Sequence, residues 1–127
     1  MLILEGIANN KKIDTVFTHW FGDINTDHKV TWEISRTAFR NVKNFLMFQS
    51  NSYSDNVNIF KPNFYFSFNK EEYVFKEKIL SQYVSEWTRR EIRWKREIFE
   101  RELYWGHISG NDYAEGFQIG KLVDFFV

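Results

Sequence analysis

Five side chains between positions 19 and 33 carry the atoms that a divalent metal site needs: His19, Asp23, Asp27, His28 and Glu33. Imidazole nitrogens and carboxylate oxygens ligate such ions at about 2.0 to 2.5 Å, so chemistry here requires a fold that makes them converge. Nothing in the spacing does so by itself, and His19 beside Trp20 reads as an ordinary half-buried strand histidine. Asp23, Asn25 and Asp27 match the first three ligand positions of a calcium loop. The match then fails, because His28 replaces the turn glycine and Ile34 stands where the bidentate glutamate belongs, with Glu33 one position short. The run is therefore read as a polar hairpin turn, with no metal assigned. A metal-dependent hydrolase or nuclease built from Asp14, Asp23 or Glu33 with a nearby lysine is the catalytic alternative. The chain shows no Ser-His-Asp spacing, phosphate-cradling glycine loop or cofactor fingerprint. It is read as a non-enzyme without a cofactor.

The second set of reactive types lies between Asn69 and Gly106, where arginines alternate with tryptophans. Trp87, Arg89, Arg90, Arg93, Trp94, Arg96 and Trp105 are the candidate contact residues. Cations with exposed rings could hold phosphates and stack unpaired bases, which makes nucleic-acid binding one reading. Against it, the span from Glu86 to Glu102 holds six basic and five acidic residues. A net local charge of +1 leaves little counterion release to drive such binding. Trp, Tyr and Arg are also the residue types that dominate protein interfaces, so a protein partner is the preferred reading. Small chains of this make-up often act as inhibitors or adaptors, including those encoded by phages and other mobile elements. Glu91, in the middle of an apolar stripe, invites a general-acid role through burial. Pairing with Lys95 four residues on is the plainer expectation.

These residues need a helix. Asn69 can cap its start, with Glu72 three residues later closing a capping box, and both Glu71 and Glu72 sit at its positive end. Gly106 can close it in the left-handed conformation. At 100° per residue, Tyr73, Leu80, Val84, Trp87, Trp94, Ile98 and Trp105 form one apolar stripe, and Val74, Ile92, Phe99 and Leu103 form a second. Residues 70–105 as one straight helix would run about 54 Å, against a diameter of roughly 36 Å for a compact chain of 127 residues. Either the helix breaks between Ser81 and Thr88, where hydroxyl side chains compete with the backbone, or its second half projects onto a partner, with a homodimer as one outcome.

Composition bounds the rest. Seventeen basic residues balance seventeen acidic ones, which argues against a surface given over wholly to nucleic acid. The absence of cysteine rules out disulfides, thiolate metal sites and a cysteine nucleophile, and fits a reducing compartment. Met1 to Ile7 is short and acidic for a signal peptide, and no run approaches the ~18 apolar residues of a membrane span. A cytoplasmic location without membrane contact is the expectation.

Along the chain, Leu2 to Ile7 and Ile13 to Phe21 read as an N-terminal hairpin, and Val30, Trp32 and Ile34 alternate as a third strand. A helix over residues 36–49 follows, with Ala38, Val42, Phe45, Leu46 and Gln49 on one side. Ser50 to Asn58 reads as a surface loop. Asn63 to Asn69, with Phe64, Phe66 and Phe68 alternating, is the clearest strand. Residues 113–127 read as a C-terminal helix ending in an apolar tail that should be docked. The whole is expected to be one α+β domain: a small antiparallel sheet of about four strands against the long helix, the 36–49 helix and the C-terminal helix.

Overall fold

The computed structural model describes residues 2–50 and 58–124. The centre of the expected Ser50 to Asn58 loop and the last three residues of the apolar tail lie outside the described residues. Four helices and four strands are present among the described residues, in the order α1 (Leu2–Asn10), β1 (Thr15–His19), α2 (Thr26–Ala38), β2 (Asn44–Phe48), β3 (Phe64–Phe68), α3 (Lys70–Ser81), α4 (residues 84–109) and β4 (Tyr113–Lys121). The expected α+β class holds. The sheet has the order β1-β2-β4-β3 and is mixed, because β1 and β2 run parallel, with Thr15 opposite Asn44 and His19 opposite Phe48. β4 runs antiparallel to β2, with Phe117 opposite Phe48.

The chain forms two compact units: residues 1–64 with 117–127, and residues 65–116. The first is a β1–α2–β2 crossover with α1 beside it. Four sequence expectations fail here. Leu2 to Ile7 is helical, and its short apolar run carries no period that separates helix from strand. The expected third strand, Val30 to Ile34, lies inside α2. Its alternation misleads because α2 buries small residues, Ser35 and Ala38, and leaves Val30 and Ile34 exposed. Thr18 of β1 donates to the Ser35 hydroxyl at 3.0 Å, drawing helix and strand together. The expected 36–49 helix is the end of α2 followed by β2, whose run Asn44 to Met47 is buried at every position. A strand covered on both faces has no alternation to reveal it. The expected C-terminal helix is the strand β4. Its Gly120 suits a strand because a side chain there would lie 3.0 Å from the Phe45 ring.

The second unit contains the α3–α4 hairpin. The capping box forms as expected: Asn69 Oδ1 accepts from the Glu72 amide at 2.9 Å, and Glu72 Oε2 accepts from the Asn69 amide at 2.8 Å. The long helix breaks where the hydroxyls predicted. Ser81 Oγ donates back to the Lys78 carbonyl at 2.7 Å, α3 ends, and α4 starts at Val84. Gly106 does not close α4. Helix continues to Ser109, and Gly110, with φ of 77°, takes the left-handed cap. Gly106 is instead a contact point, since a side chain there would meet the Asp112 and Tyr113 backbone at 2.5 Å.

Residues Lys95–Glu100 of α4 form a π-helical turn. The widened turn takes an extra residue and rotates everything after it by about 100° relative to a regular helix. That shift breaks the second expected stripe. Within the second stripe Phe99 is buried while Leu103 faces solvent, as does Ile92 ahead of the turn; Trp105 of the main stripe is buried as expected. The edge of the Tyr73 ring meets Phe99 at 4.7 Å between centroids, joining α3 to α4.

Beside that contact Glu102, only 3% exposed, pairs with Lys76 of α3, which also pairs with Glu115. Burial raises the Glu102 carboxyl above its ordinary value near 4.5, Lys76 opposes the rise, and Glu115 adds to it. A carboxyl raised on folding contributes stability in full below its unfolded value, and that contribution is lost as pH climbs through the folded one. Denaturant unfolding of the natural chain and of Glu102→Gln should therefore diverge: between acid and neutral pH the natural chain loses stability relative to the variant. A relative gain over that range would mean that Lys76 outweighs burial.

Candidate functional site

Two places in the structure gather reactive side chains. The first lies at the carboxyl ends of the parallel strands β1 and β2, where open α/β sheets form their crevices. His19 is the last residue of β1, Asp23 lies in the loop to α2, His28 is in the first turn of α2, and Ser50 follows β2. Packing sets the loop: Trp20 is 1% exposed, and a side chain at Gly22 would fall 2.3 Å from its ring. The glycine lets the chain pass over the indole and deliver Asp23 to the helix start.

Asp23 is buried, with a side chain 1% exposed, and both of its oxygens are used. Oδ1 accepts the Asn25 amide at 2.8 Å and Oδ2 meets His28 Nδ1 at 2.7 Å. Asn25 caps α2, accepting from the Asp27 and His28 amides at 3.0 and 3.3 Å. Ser50 Oγ lies 3.3 Å from His28 Nδ1. The rings of His19 and His28 stack at 3.9 Å, within 6° of parallel, and His19 also packs on Phe48 at 4.9 Å. Burial, then the adjacent His28, lower the His19 pKa, and Asp23 partly offsets them. Among the described residues His19 Nδ1 is out of solvent and has no hydrogen-bond partner.

The fold thus converges three of the five residues singled out by type. The donor atoms of His19, Asp23 and His28 lie within 4.8 Å of one another. Asp27 and Glu33 are exposed on α2 and stand outside the cluster, as does Asp14, whose carboxylate accepts the Thr15 hydroxyl. Asp23, Asn25 and Asp27 form a helix cap, neither a calcium loop nor a hairpin turn.

The second place is the helical hairpin. Of the expected contact residues, Trp105 is 8% exposed and has Arg101 over its ring at 4.8 Å, so it is a packing residue. Trp87 and Trp94 are half-buried against each other, edge to face at 6.3 Å. Arg89, Arg93 and Arg96 are exposed and Arg90 is half-buried. Four of the cations are answered from within the unit: Arg89 and Arg90 by Glu86 at 2.7 and 2.9 Å, Arg93 by Glu97 at 2.6 Å, and Lys95 by Glu91 at 3.0 Å. Such pairs add little stability, but they cancel the field that phosphates would need. Glu91 is 46% exposed in this pairing, and the buried glutamate is Glu102.

What the sequence reading missed is on α3. Phe75 and Ile79, four residues apart, are 63% and 46% exposed, with Val74 alongside at 56%, and Tyr83, 63% exposed, follows in the turn between α3 and α4. The spacing was visible, but a single phase carried through to residue 105 assigned inward positions by the wrong helix.

No protein-family model matches the chain, and no curated protein matches it. No helix among the described residues is long and apolar enough to cross a membrane.

The Trp20–Gly22 contact gives a direct check on the first site. Gly22→Ala should lower the melting temperature, in line with the ~1 to 3 kcal/mol cost of overpacking, and should shift the ring resonances of His19 and His28 with those of His107 unmoved. An unchanged melting curve and unchanged His19 and His28 spectra would mean that Gly22 does not set the loop.

Proposed function

We propose that this chain is a non-catalytic protein-binding module, an inhibitor or adaptor that acts by docking on another protein. One observation carries the reading: the exposed apolar side chains Val74, Phe75 and Ile79 on α3, followed by exposed Tyr83 in the turn to α4. Each such side chain gains roughly 1.5 to 3 kcal/mol on full burial, and contiguous apolar surface on one face is the usual mark of an interaction site. The exposed arginines of α4, Arg89, Arg93 and Arg96, with the accessible edges of Trp87 and Trp94, supply the mixed aromatic and cationic surroundings of such a face. The pairing of Arg89 and Arg93 with acids in the same helix favours a protein over nucleic acid. The lack of cysteine suits a reducing compartment, so the partner is sought among cytoplasmic proteins of the chain's own host.

The tagged chain, incubated with host lysate after nuclease treatment, should retain a partner in fixed stoichiometry by mass spectrometry. The double variant Phe75→Asp, Ile79→Asp should keep its circular dichroism spectrum and weaken capture at least about tenfold, the effect of some 1.4 kcal/mol. Arg93→Ala with Trp94→Ala should weaken it less. Partners that disappear with nuclease would favour the nucleic-acid reading, and a dimer by light scattering that the double variant abolishes would assign the stripe to self-association.

A further inference from the structure

We infer that His19, Asp23 and His28 form a binding site for a divalent transition-metal ion of the kind that takes imidazole and carboxylate together, with Zn2+ the representative. The inference is independent of the docking surface on α3. It rests on three observations that do not follow from one another.

The first is convergence: donor atoms from the end of β1, the following loop and the first turn of α2 all lie within 4.8 Å of each other. Tetrahedral ligation at about 2.0 to 2.2 Å places donors about 3.3 to 3.6 Å apart, so rearrangement of little more than 1 Å at side-chain tips closes the set. The second is the buried carboxylate. Asp23 is already out of water and fixed by the Asn25 amide at 2.8 Å, in the way that ligating carboxylates are held. The third is the His19 ring nitrogen Nδ1, which is out of solvent with no partner among the described residues. Buried polar atoms are normally satisfied, and a cation held by a neutral imidazole satisfies this one.

The donor chemistry selects the ion. Two imidazoles and one carboxylate suit Zn2+, Co2+ or Ni2+, whereas Mg2+ and Ca2+ take oxygen-only sets. Three protein ligands leave a fourth position to water, and Ser50 Oγ stands 3.3 Å from His28 Nδ1 at the same place. The two rings are stacked 3.9 Å apart and nearly parallel. A metal ion lies close to the plane of each imidazole that binds it, so loading turns one ring out of the stack.

The test uses the full chain after chelator treatment and dialysis. Isothermal titration with Zn2+ should give one equivalent, Co2+ should develop visible absorption bands of a low-symmetry four-coordinate site, and the ring signals of His19 and His28 should move together. His19→Ala should weaken Zn2+ at least tenfold with its circular dichroism spectrum retained, and His28→Gln should do the same. His107→Ala, which removes the third of the three histidines, should change nothing. Failure to bind Zn2+, or binding that follows His107 and survives both other substitutions, overturns the assignment. Should the His28 variant unfold, the His19 variant and the ring signals of the natural chain still decide the matter.

Discussion

A carboxylate removed from water must be met by donors or cations, and each compact unit of this protein is closed around one. In the first unit Asp23 accepts from the Asn25 amide and His28, which ties the end of β1 to the start of α2. In the second Glu102 meets Lys76, which also reaches Glu115 and so holds α3, α4 and β4 together. The two acids are treated differently. Asp23 has both oxygens occupied, whereas Glu102 Oε2 has no partner among the described residues, and burial raises its pKa. Losing either acid's partner would leave a buried charge uncompensated, a change that costs more than the pair itself contributes.

The division of labour between the units follows from what each leaves exposed. The first unit places titratable groups at the mouth of two parallel strands, where a crossover fold leaves a crevice. The second leaves Val74, Phe75 and Ile79 of α3 exposed and pairs Arg89, Arg90, Arg93 and Lys95 internally. Electrostatic recognition of a polyanion is weakened by that pairing, whereas burial of an apolar stripe is unaffected by it.

Local signals were legible in the sequence, and signals that depend on tertiary contact were not. The Asn69 and Glu72 capping box, the break after Ser81 and the strand around Phe64 to Phe68 all act within a few residues, and each occurs where the residue types place it. β2 was misread because a strand buried on both faces is apolar throughout. α2 was misread because its inward residues are Ser35 and Ala38. The π-helical turn at Lys95–Glu100 has no sequence signature that a fixed 100° phase can register, and across it the second stripe splits, with Phe99 buried and Leu103 exposed. For the first site the sequence supplied the correct atoms in His19, Asp23 and His28, but it is the Trp20–Gly22 packing that brings them together.

Hydrogen exchange on the captured complex tests the central claim most directly, namely that α3 presents a docking face for another protein. Amides of residues 74–83 should exchange more slowly in the complex than in the free chain, with those around His19 to His28 unaffected. Protection that leaves residues 74–83 unchanged and falls instead on the first unit would contradict the account.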